Sequence, residues 1–517
     1  MNDSIFLGGG GDDYGTHQGL LLKYANRHGL IAGATGTGKT VTLQILAEGF
    51  SKAGVPVFLS DVKGDLSGLA AGGSETFKLH DAFTSRAEKI GFDDYAYESF
   101  PVTFWDLFGD QGHPIRTTVA EMGPLLLARM LDLSEAQEGV LNIAFRLSDE
   151  EGLPLLDLKD LRALLVFVGE NAPELSLEYG HISNASIGAI QRQLLVLENQ
   201  GGAGLFGEPA LDLDDLMHTT PDGQGQINIL ASDKLMQSPA LYATFLLWLL
   251  SELFEEMPEV GDPEKPKLVF FFDEAHLLFD DAPKALINKV EQVARLIRSK
   301  GVGVYFITQN PADVPEDILG QLGNRVQHAL RAFTARDKQA LSRAAQTYRE
   351  NPRFDIEVAI REVGVGEAVT STLESKGVPG VAERTLIRPP SSKLGPISNK
   401  ARSDVIATSH IAGKYEAKVD RISAFEKLRA KAGRAAEAAE KAEAEEERAA
   451  AEEREFRAGR RYSAGGMERS SSKRIGTRRR QPDTFGSALQ TAVIKELKGT
   501  TGRRIVRGIL GGFFKGR

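Results

Sequence analysis

Eight consecutive residues, Gly33-Ala34-Thr35-Gly36-Thr37-Gly38-Lys39-Thr40, match the pattern GxxxxGK[ST] in full. Each position has a chemical reason. Glycines let a loop wrap with its N–H groups turned inward, where side chains would obstruct an anion. A helix starting at the end of the loop presents its N-terminus to the same anion. Lys39 suits the β- and γ-phosphates of a nucleoside triphosphate, and the Thr40 hydroxyl suits Mg²⁺. Far downstream, the run Leu268-Val269-Phe270-Phe271-Phe272 ends in Asp273-Glu274. An apolar strand tipped by two carboxylates completes such a site. Asp273 would hold Mg²⁺, and Glu274 would polarise an attacking water as general base. A third element, VGVYFIT (302–308), leads into Gln309, which suits sensing of the γ-phosphate or orientation of the water. Together these residues predict an ATP hydrolase using ATP and Mg²⁺.

Two further sites stay open at this level. Asp61 ends the run VPVFLSD and either supports the site from a neighbouring strand end or closes a turn. Arg298 ends a helical pattern, where a cation is ordinary. Its alternative role is an arginine finger reaching a neighbouring subunit's γ-phosphate, and Arg325 and Arg331 are further candidates for it.

These groups require a scaffold. The apolar run HGLIA (28–32) precedes the phosphate loop, and Leu43, Leu46, Ala47 and Phe50 follow at helical spacing. Apolar strands at 55–61, 227–230, 268–273 and 302–308 alternate with helical segments at about 238–256 and 283–300. Strand, loop, helix and strand in this order predict an α/β fold with a mainly parallel sheet covered on both faces. Leu-rich helical patterns between 115 and 215 read as a helical insertion. The expected organisation is a first core part at 1–114, the insertion at 115–215 and a second core part at 216–395. A charged helical spacer at 396–459 and a basic tail at 460–517 follow.

Composition bounds the rest. The chain has 517 residues, 42% apolar and 26% charged, the balance of an ordinary globular protein. It contains no cysteine, which excludes disulfides, thiolate metal sites and a cysteine nucleophile. The start, MNDSIFLGGGGDD, has no basic n-region or long apolar run, so no secretory signal is expected. Leu241 to Phe254 is too short to cross a membrane, and a cytoplasmic protein is expected. The net charge of −9 hides an asymmetry. Residues 460–517 carry 15 Lys/Arg against three acids, a net of +12, and the remainder carries −21. Such a tail suits DNA, a protein or an anionic membrane as partner. Residues 431–458 hold 11 Ala, nine Glu and six Lys or Arg, a composition for a solvated helix or spacer without a heptad seam, with a coiled coil as the alternative.

GATGTGKT, DVKGD, LVFFFDEAH, RSKGVGVYFITQNP and GNRVQHALRAFTARD, in this order, resemble the HerA/FtsK superfamily of P-loop ATPases. The likeness is greatest to a bacterial HerA-like helicase family and covers about residues 5–395. The resemblance implies a RecA-like ASCE core assembled as a homo-oligomeric ring, usually a hexamer, that moves double-stranded DNA. Some members move protein–DNA complexes in conjugation. By motif position Gln309 matches the strand-tip glutamine, and Arg298 matches the arginine that acts in trans. About 32 residues precede Gly33, too few for the β-barrel of archaeal HerA proteins, so partnership with a nuclease is not carried over.

Other readings fit less well. Asp273-Glu274-Ala275-His276 spells the DEAH box of superfamily 2 helicases. However, 234 residues separate it from Lys39, and neither a Ser-Ala-Thr motif nor a second lobe follows. Asn288-Lys289-Val290-Glu291 departs from the guanine-reading Asn-Lys-x-Asp at its last position. The rivals of a different class are an ATP-switched scaffold with a protein partner and a pump for a protein or conjugative substrate.

Overall fold

The computed structural model describes residues 3–279, 284–331 and 334–463. The basic tail expected at 460–517 lies outside the described residues from 464 onward. Chain contacts divide the protein into a unit ending at Arg421 and a second beginning at Ile422.

Among the described residues, the first unit is built on one sheet of twelve strands. These are β1 (Ser4–Gly10), β2 (Thr16–Leu21), β3 (Gly29–Ala32), β4 (Val57–Asp61), β5 (Val102–Asp106) and β6 (His113–Pro114). The others are β7 (Ile227–Ala231), β8 (Leu268–Phe272), β9 (Val302–Thr308), β10 (Asn324–Gln327), β11 (Glu367–Ser371) and β12 (Glu383–Ile387). Their order across the sheet is β2-β1-β12-β11-β10-β3-β9-β8-β4-β7-β5-β6. From β10 to β6 every pairing is parallel. From β2 to β10 every pairing is antiparallel. The fold is thus α/β with a mainly parallel sheet, as the alternation of apolar runs predicts.

The central strands β3, β4, β7, β8 and β9 are buried along their whole length. Their apolar character follows, because helices cover both faces and leave no polar side. Aromatic rings lock adjacent strands together. Phe58 stacks on Phe270 at 4.7 Å, and Phe272 stacks on Phe306 at 5.3 Å. The helix Lys39–Lys52 buries Leu43, Ile45, Leu46 and Phe50 against the sheet. Each such side chain contributes roughly 1.5–3 kcal/mol by leaving water.

The interval between β6 and β7 holds the helices Val119–Met130, Glu135–Glu151, Leu158–Glu170, Ala172–Tyr179 and Asn184–Asn199. The first unit continues past the edge expected at 395. Tyr415 is fully buried with its ring 5.3 Å from Trp105, and the Arg402 guanidinium lies 4.4 Å over Phe104. These two contacts carry residues 396–421 into the core. In the second unit, Ala424–Ser463 forms one helix of 40 residues. Among the described residues, no helix is long and apolar enough to cross a membrane.

One buried ion pair ties the phosphate-loop helix to the segment after β12. Arg388 Nη1 donates to Glu48 Oε2 at 2.9 Å, and Arg388 Nη2 donates to the Ile45 carbonyl at 2.9 Å. The Ser391 and Ser392 N–H groups and the Ser392 hydroxyl also donate to the Glu48 carboxylate. Arg388→Ala leaves this carboxylate buried and uncompensated, which is expected to cost about 3–5 kcal/mol. Denaturant unfolding of the first unit checks it, and a loss below about 1 kcal/mol, the range of an exposed pair, contradicts the account.

Candidate active site

The phosphate loop leaves the carboxyl end of β3 and runs into the helix Lys39–Lys52. Its backbone demands glycine at defined points: Gly36 lies at φ 78° and Gly38 at φ 120°. A Cβ on Gly33 would stand 2.5 Å from the His328 Cβ. Among the described residues no side chain caps the first turn of the helix, whose N-cap is Gly38. The opening N–H groups of a helix have no intrahelical acceptor. An uncapped turn at a loop without bulky side chains fits the phosphates of a nucleotide.

Lys39 lies along this loop, its Nζ donating to the Gly33 carbonyl at 2.6 Å and the Ala34 carbonyl at 3.1 Å. Burial lowers its pKa, while the Glu274 and Asp273 carboxylates act in the opposite sense. Lysine and carboxylates therefore feel one another's charge, although 234 residues separate Lys39 from Asp273. Sheet order explains the meeting. Strands β3 and β8 flank β9, all three run parallel, and all three end on the same edge. Gln309 follows the tip of β9 and accepts from Thr35 Oγ1 at 3.4 Å. Thr40 is exposed at the start of the helix.

Asp273 and Glu274 are held by their backbone. Tyr242 OH donates to the Asp273 carbonyl at 2.9 Å and lies 2.8 Å from Ser60 Oγ. Ser60 Oγ in turn accepts from the Asp273 N–H at 3.3 Å. Glu274 takes a left-handed backbone, φ 48°, and its N–H donates to Asp273 Oδ1 at 2.9 Å. His276 Nδ1 lies 3.5 Å from Glu274 Oε2. Burial, with the Glu274 charge adding to it, raises the Asp273 pKa from 3.8 to about 7. Such a carboxylate gains from a cation, so Asp273 and the Thr40 hydroxyl fit Mg²⁺. Asp61 ends β4 on the same edge. Its Oδ2 accepts from the Leu66 N–H at 3.1 Å, so it closes the turn that begins at Val62. Burial raises its pKa to about 6. Its charge also acts on Asp273, so Asp61 both closes the turn and faces the site.

Other candidates lie elsewhere. Arg298 sits in the short turn Ile297–Lys300, before β9, at the opposite end of the sheet from the phosphate loop. It is remote from this chain's own site. Arg325 is occupied internally, donating to the Leu319, Leu322 and Thr347 carbonyls. Arg331 is exposed just past His328.

A family described as "Helicase HerA-like C-terminal" matches residues 10–517. The chain belongs to this family. None of the curated proteins compared with it matches. Among solved structures, similarity is found to a bacterial conjugative coupling protein, TrwB, at 15% identity and TM-score 0.46, over 73% of this chain and 90% of that one. VirB4 of Thermoanaerobacter pseudethanolicus matches at 16% identity and TM-score 0.47, over 75% of this chain and 97% of that one. The cytoplasmic domain of the Thermomonospora curvata type VII secretion ATPase EccC matches at 14% and 0.31, over 81% of this chain and 33% of that one.

The HerA-like sequence motifs contain one structural group that their motif chemistry did not reveal. His328, in GNRVQHAL, is fully buried beneath the phosphate loop. Its Nδ1 faces the Glu367 carbonyl at 3.0 Å, which assigns the proton to Nδ1. Its Nε2 then accepts from Thr42 Oγ1 at 2.8 Å. Burial lowers its pKa to about 4, so it stays neutral. Ser60 and Tyr242 were likewise missed. A hydroxyl before Asp61 and a lone tyrosine in an apolar helix give no motif.

The raised Asp273 pKa has a testable sign. The ligand-free chain ionises this group less readily folded than unfolded. Its stabilising contribution is full below about pH 4 and is lost as pH rises through about 7. Asp273→Asn removes that loss. Its melting temperature is expected to exceed that of the native chain at about pH 8, with the gain shrinking toward about pH 5. An equal gain at both pH values contradicts the assignment.

Proposed function

We propose that this chain is an ATP hydrolase, ATP + H2O → ADP + phosphate, that works as a homo-oligomeric ring and moves or remodels double-stranded DNA. The observation that carries the hydrolase reading is the convergence of Lys39, Asp273, Glu274 and Gln309 at one edge of β3, β8 and β9. The family's description as a helicase and the basic composition of residues 460–517 support a nucleic-acid substrate.

In this reading each group has one task. Residues Gly33 to Thr40 cradle the phosphates with backbone N–H groups, and Lys39 leaves its carbonyls to neutralise the β- and γ-oxygens. Thr40 and Asp273 would hold Mg²⁺, which would supply positive charge to offset that of the phosphates. Glu274 takes a proton from the attacking water, and Gln309 orients that water against the γ-phosphorus. Arg298 serves the site of an adjacent copy, because β9 separates it from its own.

Glu274→Gln is expected to lower turnover roughly 10²–10⁴-fold while nucleotide affinity is retained. Lys39→Ala is expected to weaken both. A Glu274→Gln rate equal to native removes the base assignment. The substrate is tested by ATPase rates with duplex DNA, single-stranded DNA and no DNA, with and without residues 460–517. Stimulation by duplex that fades with added salt is the expected result. Indifference to DNA, with ATP-dependent retention of a protein partner, overturns the DNA reading in favour of a scaffold or pump.

A further inference from the structure

The segments that follow β9 and β10 enclose a cavity of about 710 Å³ on the sheet face opposite the phosphate-loop helix. Strand alternation sets that face. Ile31 and Val326 point into the core shared with Leu43 and Leu46, so their neighbours Leu30, Arg325 and Gln327 point the other way. Register brings these three together, because β3 and β10 pair in parallel with Leu30 opposite Arg325 and Ala32 opposite Gln327. They form the sheet side of the cavity. The turn Pro311–Asp313, the short helix Glu316–Leu319 and the helix Ala335–Gln346 close its other sides.

The lining is short of negative charge and of a hydrogen-bond donor. Arg325 donates to the Leu319, Leu322 and Thr347 carbonyls and meets no carboxylate among the described residues. Burial lowers its pKa, as for a cation taken out of water without an anion beside it. Arg343 is exposed at the rim and forms no ion pair among the described residues. Against these two cations the lining holds a single acid, Glu316. Gln327, 1% exposed, donates from Nε2 to the His328 carbonyl at 2.8 Å, while its Oε1 has no donor among the described residues. A buried acceptor left so costs about 1–3 kcal/mol. The walls are mainly apolar, with Leu30, Val314 and the Tyr348 ring all buried.

Such a lining selects its occupant. Guanidinium forks match phosphate oxygens. An acceptor in the floor matches an N–H donor, and apolar walls with one aromatic match a planar ring. The volume is that of a small-molecule site, and its buried walls leave no room for a duplex. The cavity also adjoins the nucleotide site at two points. Pro311 and Ala312 belong to the turn just after Gln309, which Thr308 Oγ1 and the Asn310 N–H hold by donating to Asp313 Oδ2 at 2.7 and 3.2 Å. Gln327 adjoins His328, which lies beneath the phosphate loop. We propose that this cavity is a regulatory site for a small phosphorylated molecule with a ring N–H donor, the chemistry of a nucleoside monophosphate. Its phosphate lies on Arg343 and Arg325, its donor on Gln327 Oε1, and its presence braces the turn behind Gln309. Binding is independent of the hydrolase reading above, and the effect on turnover rests on it.

The test uses the full chain with Lys39→Ala, which weakens the phosphate-loop site, and AMP as the probe in equilibrium dialysis. One AMP per chain is expected. Adding Arg343→Glu is expected to weaken binding at least about tenfold, with an unchanged melting temperature to report an intact fold. Gln327→Leu is expected to weaken it as well, and inorganic phosphate to compete poorly. In the native protein at saturating ATP, AMP is expected to raise turnover about fivefold or more. Arg343→Glu alone is expected to keep the native AMP-free rate and to ignore AMP. Absence of binding, or binding untouched by both substitutions, overturns the site. Phosphate competing as well as AMP overturns the ring and its donor. Displacement of AMP by duplex DNA assigns the cavity to a DNA path and overturns the small-molecule reading. Binding without a rise in turnover overturns the bracing of Gln309. A native protein without any turnover overturns instead the hydrolase reading, and dialysis still decides the site.

Discussion

Three carboxylates, Asp61, Asp273 and Glu274, crowd the same sheet edge as the Lys39 ammonium, and burial strips much of the water from this group. Like charges so placed repel one another, and each loses hydration that only another charge can replace. The raised pKa values of Asp61 and Asp273 and the lowered one of Lys39 are consequences of that one constraint. A polyanion bridged by a divalent cation relieves it, supplying negative charge to the lysine and positive charge to the acids. Ligand-free, the site keeps Lys39 on two loop carbonyls, a partial substitute.

The surrounding fold keeps those charges from moving apart. His328 fills the space under the phosphate loop and uses both ring nitrogens. Ser60 and Tyr242 hold the Asp273 backbone, so the acidic tip cannot drift along β8. The Glu48–Arg388 pair anchors the helix that begins at Lys39 to the segment after β12. Rigid placement matters for hydrolysis because catalysis of this kind comes mainly from positioning and fixed charge.

Much of this was legible in the sequence, and the reasons differ by element. Strands β4, β7, β8 and β9 are covered on both faces, so each reads as a mainly apolar run. The phosphate loop and acidic tip carry fixed spacing because their chemistry tolerates little else. The hairpin β1–β2 escaped notice because SIFLGGG is rich in glycine, which disfavours strands in general. Strand β10 is four residues, NRVQ, too short and too polar to read as a strand. The place of His328 was invisible, since its meaning lies in the glycines packed above it.

The most direct test of the central claim is hydrogen exchange of Glu274→Gln protein with and without Mg·ATP, because this variant holds the nucleotide without consuming it. The account predicts slowed exchange in three separate segments at once: 33–42, 271–278 and 305–310. Protection confined to the phosphate-loop segment, with the acidic tip of β8 exchanging as in the ligand-free protein, contradicts it.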